Sequence, residues 1–222
     1  MWQNFKAPLD TRPAALSLGA SAVLWLAASA HHPFVRGHGA SEVVLGLVQI
    51  GPSDRAFHAF AIVLALAMLY GFAVYTYFRT TNMNLAMAAS VLFAAGTGAF
   101  IGAALIDGFF APAYAVRGIG SASGAQTALA VIASASVAIQ VLSKFGFIAS
   151  GGAALLWGID LFIAGIRARV AGAAVCACGI ALALLTALIG PMTPQNLAAI
   201  AVCQTVWIVL IATRLWSAPE SS

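Results

Sequence analysis

Charge is scarce in this sequence. Asp, Glu, Lys and Arg together make up 7% of its 222 residues, ten basic and six acidic, where a soluble domain carries about 25%. Hydrophobic residues make up 62% and the mean hydropathy is +0.99, so the solvent that suits this chain is a bilayer rather than water. So few charges must serve every loop and both ends that no soluble appendage is expected, and residues 1–222 read as one integral membrane domain. The net charge of +4 and pI near 9.3 do not point to nucleic acid, because Lys and Arg in such a chain anchor helix ends at lipid headgroups. Cysteine is scarce too: Cys176, Cys178 and Cys203 all fall within apolar runs, where a thiol behaves as a small hydrophobe, and no disulfide framework is expected. Also missing are a Gly-rich phosphate loop, a Gly-x-Ser-x-Gly elbow and a cysteine pair at zinc-site spacing. The last apolar run has no lysine that could form a retinal-type Schiff base.

Long uncharged apolar sequence, by contrast, is abundant. About 20 helical residues cross the roughly 30 Å of bilayer hydrocarbon, and the interruptions mark seven such stretches: 13–30, 56–78, 84–106, 125–142, 145–166, 170–190 and 196–212. The predicted fold is an all-α polytopic membrane bundle of about seven transmembrane helices, with the lipid bilayer as its first partner and the plasma (inner) membrane as its location. Pro13 suits a helix start, and His31-His32-Pro33 ends the first span. Tyr75, Tyr77, Phe78 and Arg79 close the second at headgroup level, while Gly190-Pro191 and Pro194 fold the uncharged run 170–212 into a hairpin. The apolar segment 43–50 is too short to cross and is expected to lie at the interface or re-enter partway. Gly98 with Gly102, and Gly120 with Gly124, have the spacing for close helix packing; packing within the chain is the plainer reading, a homo-oligomer or another membrane protein the alternative. Lys6, Arg12 and Ala28-Ser29-Ala30 resemble a secretory signal, but the apolar stretch exceeds the usual 7–15 residues of a signal core, so an uncleaved anchor is expected rather than a cut at Ala30-His31.

Seven crossings put Arg36, Arg55, Arg117, Arg167, Arg169 and Arg214 on the side of the histidines and Lys6, Arg12, Arg79 and Lys144 on the other. The global excess of basic residues then favours a cytoplasmic histidine side, whereas Lys6 and Arg12 before the first span favour a cytoplasmic N-terminus. The expectation follows the global count, and with it both Arg167 and Arg169 are cytoplasmic.

The polar residues crowd one face. His31, His32, His38, Glu42, Asp54 and His58 gather around the first loop, with Asp107 and Asp160 assigned to the same side, and a shared polar vestibule is inferred there because anchoring alone would need cations at both faces. Asp160 within a span, and less strongly Asp107 at the end of one, are candidates for an ion or proton site; the competing reading is a structural carboxylate held by neighbours. The histidines admit a transition metal or haem, a proton relay, or plain interfacial hydrogen bonding. His31 and His58 are the best candidate metal pair, on consecutive antiparallel spans, with His32 or His38 as a third ligand. Gln140 and Gln204 are expected to make interhelical hydrogen bonds. Since no catalytic constellation is complete, the leading functional expectation is a non-catalytic accessory or a small-molecule or ion-binding membrane protein. A proton- or ion-coupled transporter using Asp160 and a metal- or haem-dependent membrane oxidoreductase are the alternatives.

Overall fold

A computed structural model describes residues 10–33, 35, 39–192 and 194–217, without the side chains at 79, 167, 194 and 195. The described residues contain helices and no strand: α1 (Arg12–Ala30), α2 (Ala40–Arg79), α3 (Met83–Leu105), a π-helical turn (Ile106–Phe110), α4 (Ala111–Ala115), a 3-10 turn (Val116–Gly118), α5 (Ala122–Ile163), α6 (Ile166–Leu188) and α7 (Pro194–Trp216). The stretch from α3 through Gly118 is one rod, and among the described residues six helical rods are long and apolar enough to cross a membrane.

Six are found in place of the expected seven because the stretch 125–142 and all but the last three residues of 145–166 lie in a single helix, α5. Only Ser143 and Lys144 separate them, and neither breaks a helix as Gly or Pro would. The Lys144 ammonium donates to the Ile189 carbonyl at 2.8 Å, so this charge caps the C-terminal end of α6, where a cation is favoured. The short segment 43–50 belongs to α2, which continues through Pro52, and is neither a re-entrant nor a separate interfacial piece.

An even number of rods brings the start of α1 and the end of α7 to one face, where the Thr11 hydroxyl donates to the Leu215 carbonyl at 3.0 Å. Residues 79, 160, 167, 169 and 214 lie toward that terminal face, and Lys144 toward the histidine face. This reverses the expected sides of Lys144, Asp160, Arg167, Arg169 and Arg214, all of which come after the stretch 125–142, where one continuous helix, α5, takes the place of two expected spans.

Rod lengths divide the molecule into two storeys. α1, with 19 residues, and α6 and α7, with 23 each, are roughly 28–35 Å long at 1.5 Å per residue, which matches bilayer hydrocarbon. α2 and α5, with 40 and 42 residues, reach about 60 Å. Their excess, with residues 107–118, projects beyond the histidine face as a three-rod extension around a small core of Val44, Ala115, Ala125 and Ala128.

Toward the terminal face the bundle is closed by stacked rings. Phe72 lies on Trp157 at 4.3 Å between centroids and on Trp207 at 5.0 Å, with Phe93 against both indoles, and all four are buried. Close helix approach uses glycines other than the expected pairs. A Cβ on Gly151 would meet the Gly179 carbonyl at 2.7 Å, one on Gly172 the Gly158 carbonyl at 2.7 Å, and one on Gly96 the Gly146 carbonyl at 2.8 Å, so α5 packs backbone to backbone against α6 and α3. Gly98 faces open space, Gly102 is in ordinary contact with Leu142, and Gly120 has a φ of +104° in a turn; of the four expected packing glycines, Gly124 alone is tight, against the Ser121 hydroxyl.

Candidate metal site and internal cavity

His58 stands on α2 at the junction of the two storeys, one helical turn after Asp54, so that both side chains share a face. It is buried, as is Asp54. The neighbouring rod reaches it through the π-helical turn Ile106–Phe110, a local widening that recurs at functional sites. That turn sets Gly108 directly against the imidazole and places Asp107 Oδ2 3.3 Å from His58 Nε2. From the end of α1, His32 brings its Nε2 to 3.8 Å from the same carboxylate oxygen, with its ring 5.2 Å from that of His58 and edge-on to Phe57.

The backbone decides which ring nitrogens are free. A carbonyl oxygen can only accept, so His58 Nδ1–H donates to the Asp54 carbonyl at 2.9 Å, with Asp54 Oδ1 3.3 Å away, and His32 Nδ1–H donates to the Pro33 carbonyl. Both Nε2 atoms are left facing Asp107 Oδ2. Lone pairs on two imidazoles and a carboxylate repel one another unless positive charge is shared among them, either as protons on Nε2 or as a metal ion. His32, Asp54 and His58 also offer one ligand atom each within 4.8 Å of one another.

The imidazole that the structure brings beside His58 is that of His32 rather than the expected His31. His31 is exposed, because adjacent residues at a helix end point in different directions and only one can turn inward. His38 lies outside the described residues, as do Lys6 and Arg36. Asp107 joins the cluster. Asp160 does not: it is fully buried at the other end of the bundle, where it accepts from the backbone N–H of Thr81 at 3.0 and 3.2 Å and from that of Asn82. Those bonds hold the turn that enters α3. The sequence signal for this cluster is Asp54-x-x-x-His58, a carboxylate and an imidazole at i and i+4.

The cluster stands at the mouth of a cavity of about 240 Å³ lined by Trp25, Phe57, Phe100, Phe147 and Met192, with Ser29, Gln140 and Ser143 among its polar atoms. Gln140 Oε1 accepts from Met192 N at 2.7 Å. Deeper, and sharing Trp25, Phe100 and Phe147, lies a second cavity of about 50 Å³ that reaches Thr97, Ser150 and Gln204. Ser150 and Gln204 exchange hydrogen bonds of 2.8 and 3.0 Å between α5 and α7, the interhelical role expected of Gln204, whereas Gln140 holds the connection between α6 and α7. Phe93 of α3 bounds this inner cavity, and the stacked Phe72, Trp157 and Trp207 of α2, α5 and α7 follow it toward the terminal face.

No family model, curated protein or solved structure matches this chain. Function therefore rests on the site itself.

Proposed function

We propose that this multi-pass membrane protein binds a divalent transition-metal ion of the zinc type at His32, His58 and Asp107, and that binding rather than catalysis is its activity. The carrying observation is the convergence of two Nε2 atoms, each freed by an Nδ1–H bond to a backbone carbonyl, on one carboxylate oxygen. Ligand atoms around a tetrahedral ion at about 2.0–2.1 Å stand roughly 3.4 Å apart, and Asp107 Oδ2 stands 3.3 and 3.8 Å from the two Nε2 atoms. Asp54, behind the ring of His58, matches the outer carboxylate that orients a metal-ligating imidazole. A haem is disfavoured, since about 240 Å³ falls below the roughly 300–1,000 Å³ of sites for drug-sized ligands. Passage through the bundle is not favoured either, because the ring layer bounds the cavity and Asp160 is engaged by backbone N–H groups.

Six crossings also reconcile the orientation signals. Among the described residues, Arg12, Arg79, Arg167, Arg169 and Arg214 then share the terminal side against Arg55, Arg117 and Lys144 on the other, and the basic residues that precede the first span in the sequence point the same way. We infer cytoplasmic termini, with the metal site opening on the opposite face.

Metal analysis and zinc titration of the purified full-length protein test this reading. One ion per chain is expected in wild type, with binding lost in His58→Ala and Asp107→Asn and retained in His31→Ala. Absence of zinc binding in wild type, or equal binding in all four proteins, overturns it.

A further inference from the structure

The cavity below the cluster has features that an ion does not use. Its volume of about 240 Å³ exceeds the roughly 150 Å³ of an apolar cavity that takes up benzene, so a ring with a substituent fits. Its walls are aromatic: Trp25 meets Phe100 edge to face at 4.6 Å, Phe100 meets Phe147 at 6.2 Å, and Phe57 stands at the mouth. Rings pack against a flat guest by stacked and edge contacts that an aliphatic chain does not match. The decisive atom is Trp25 Nε1. The indole is 6% exposed and lines both cavities, yet its N–H has no acceptor among the described residues. Buried donors are rarely left so. Trp157 Nε1 and Tyr75 Oη share that condition among the described residues, but Trp25 is the one on the wall of these cavities.

We propose that this cavity is a binding site for a small, lipid-soluble, single-ring molecule of the phenol class, its ring among Trp25, Phe100 and Phe147 and its oxygen accepting the Trp25 N–H. The phenolic O–H has the Gln140 side-chain oxygen on the same cavity wall as an acceptor. The site is separate from the proposed ion site in its determinants: it requires the indole N–H and the open volume, not the imidazoles.

The test uses para-cresol and toluene, which share a ring and methyl group and differ by the hydroxyl, titrated into the full-length protein reconstituted in lipid nanodiscs. Wild type is expected to bind one para-cresol saturably and toluene roughly 10-fold more weakly, the usual size of one hydrogen bond to a buried group. Trp25→Phe keeps a ring and removes the N–H, so it should bring para-cresol down to the affinity of toluene. Ala104→Leu and Ala61→Leu, which fill the cavity from two different helices at buried alanines, should abolish saturable binding of both, thermal unfolding showing which variant remains folded. His58→Ala should preserve the preference for para-cresol even where zinc binding is lost, which separates failure of the ion site from failure of this one. Equal affinities for the two probes, a preference unchanged in Trp25→Phe, saturable binding undiminished in a folded cavity-filling variant, or uptake by wild type that tracks lipid partitioning alone each overturn the proposal.

Discussion

Gly108→Ala is the most informative single change, because its effect on the site and its effect on the fold differ in size. A methyl at this position would lie 2.5 Å from His58 Cβ, 2.6 Å from Cγ and 2.7 Å from Nδ1, where carbon contacts settle at about 3.5–4.0 Å. The imidazole must therefore move by about 1 Å. Overpacking of this kind costs about 1–3 kcal/mol, and the higher helix propensity of Ala offsets about 0.8–1.0 kcal/mol of it, leaving a modest net destabilisation. Metal affinity should suffer far more. The Nδ1–H bond to Asp54 and the 3.3 Å approach of Nε2 to Asp107 depend on where the ring stands, and losing such orientation typically costs 10–100-fold in affinity. Zinc titration and thermal unfolding of wild type, Gly108→Ala and Gly98→Ala would be compared under one set of conditions. Gly98 faces open space, so its alanine variant should be as stable as wild type or up to about 1 kcal/mol more stable, with zinc binding unaltered. Wild-type zinc affinity in Gly108→Ala would refute the placement of His58 against the π-helical turn, and with it the ion site.

Asp160→Asn should lower stability by about 1.5–3 kcal/mol, the range for hydrogen bonds to a charged group, through weakened bonds to Thr81 and Asn82; thermal unfolding would show it, with zinc binding unchanged because the carboxylate lies at the other end of the bundle. Single cysteines at positions 10 and 217 should be protected from an impermeant reagent in intact cells while one at 120 is labelled, in a background without the native cysteines; labelling of 10 and 217 from opposite sides would contradict six crossings. Zinc binding should weaken on acidification, since protons compete for the same Nε2 atoms, and an affinity constant from neutral to acid pH would argue against imidazole ligands. Trp157→Ala, which removes the indole stacked on Phe72, should cost about 3–5 kcal/mol, read as a lowered unfolding temperature.

Composition alone determined the helical membrane class, because apolar runs with so few charges have no other stable solution: every backbone polar group in hydrocarbon must be bonded within its own helix or barrel. The crowding of His32, Asp54, His58 and Asp107 near one face was legible for the same reason, since charge in such a chain collects where water is. The number of crossings was not. It turned on whether Lys144 ends a helix or caps a neighbouring one, and the Ile189 carbonyl that answers this lies 45 residues away in sequence. Once the count falls to six, Asp160 moves from the histidine side to the terminal side and becomes the anchor of the Thr81–Asn82 turn. The choice of His32 over His31 likewise depends on the direction in which α1 ends beside α2, and the roles of Gly108 and Trp25 depend on what packs against them. One dimension records which groups are costly in lipid. Only the packed bundle assigns each its partner.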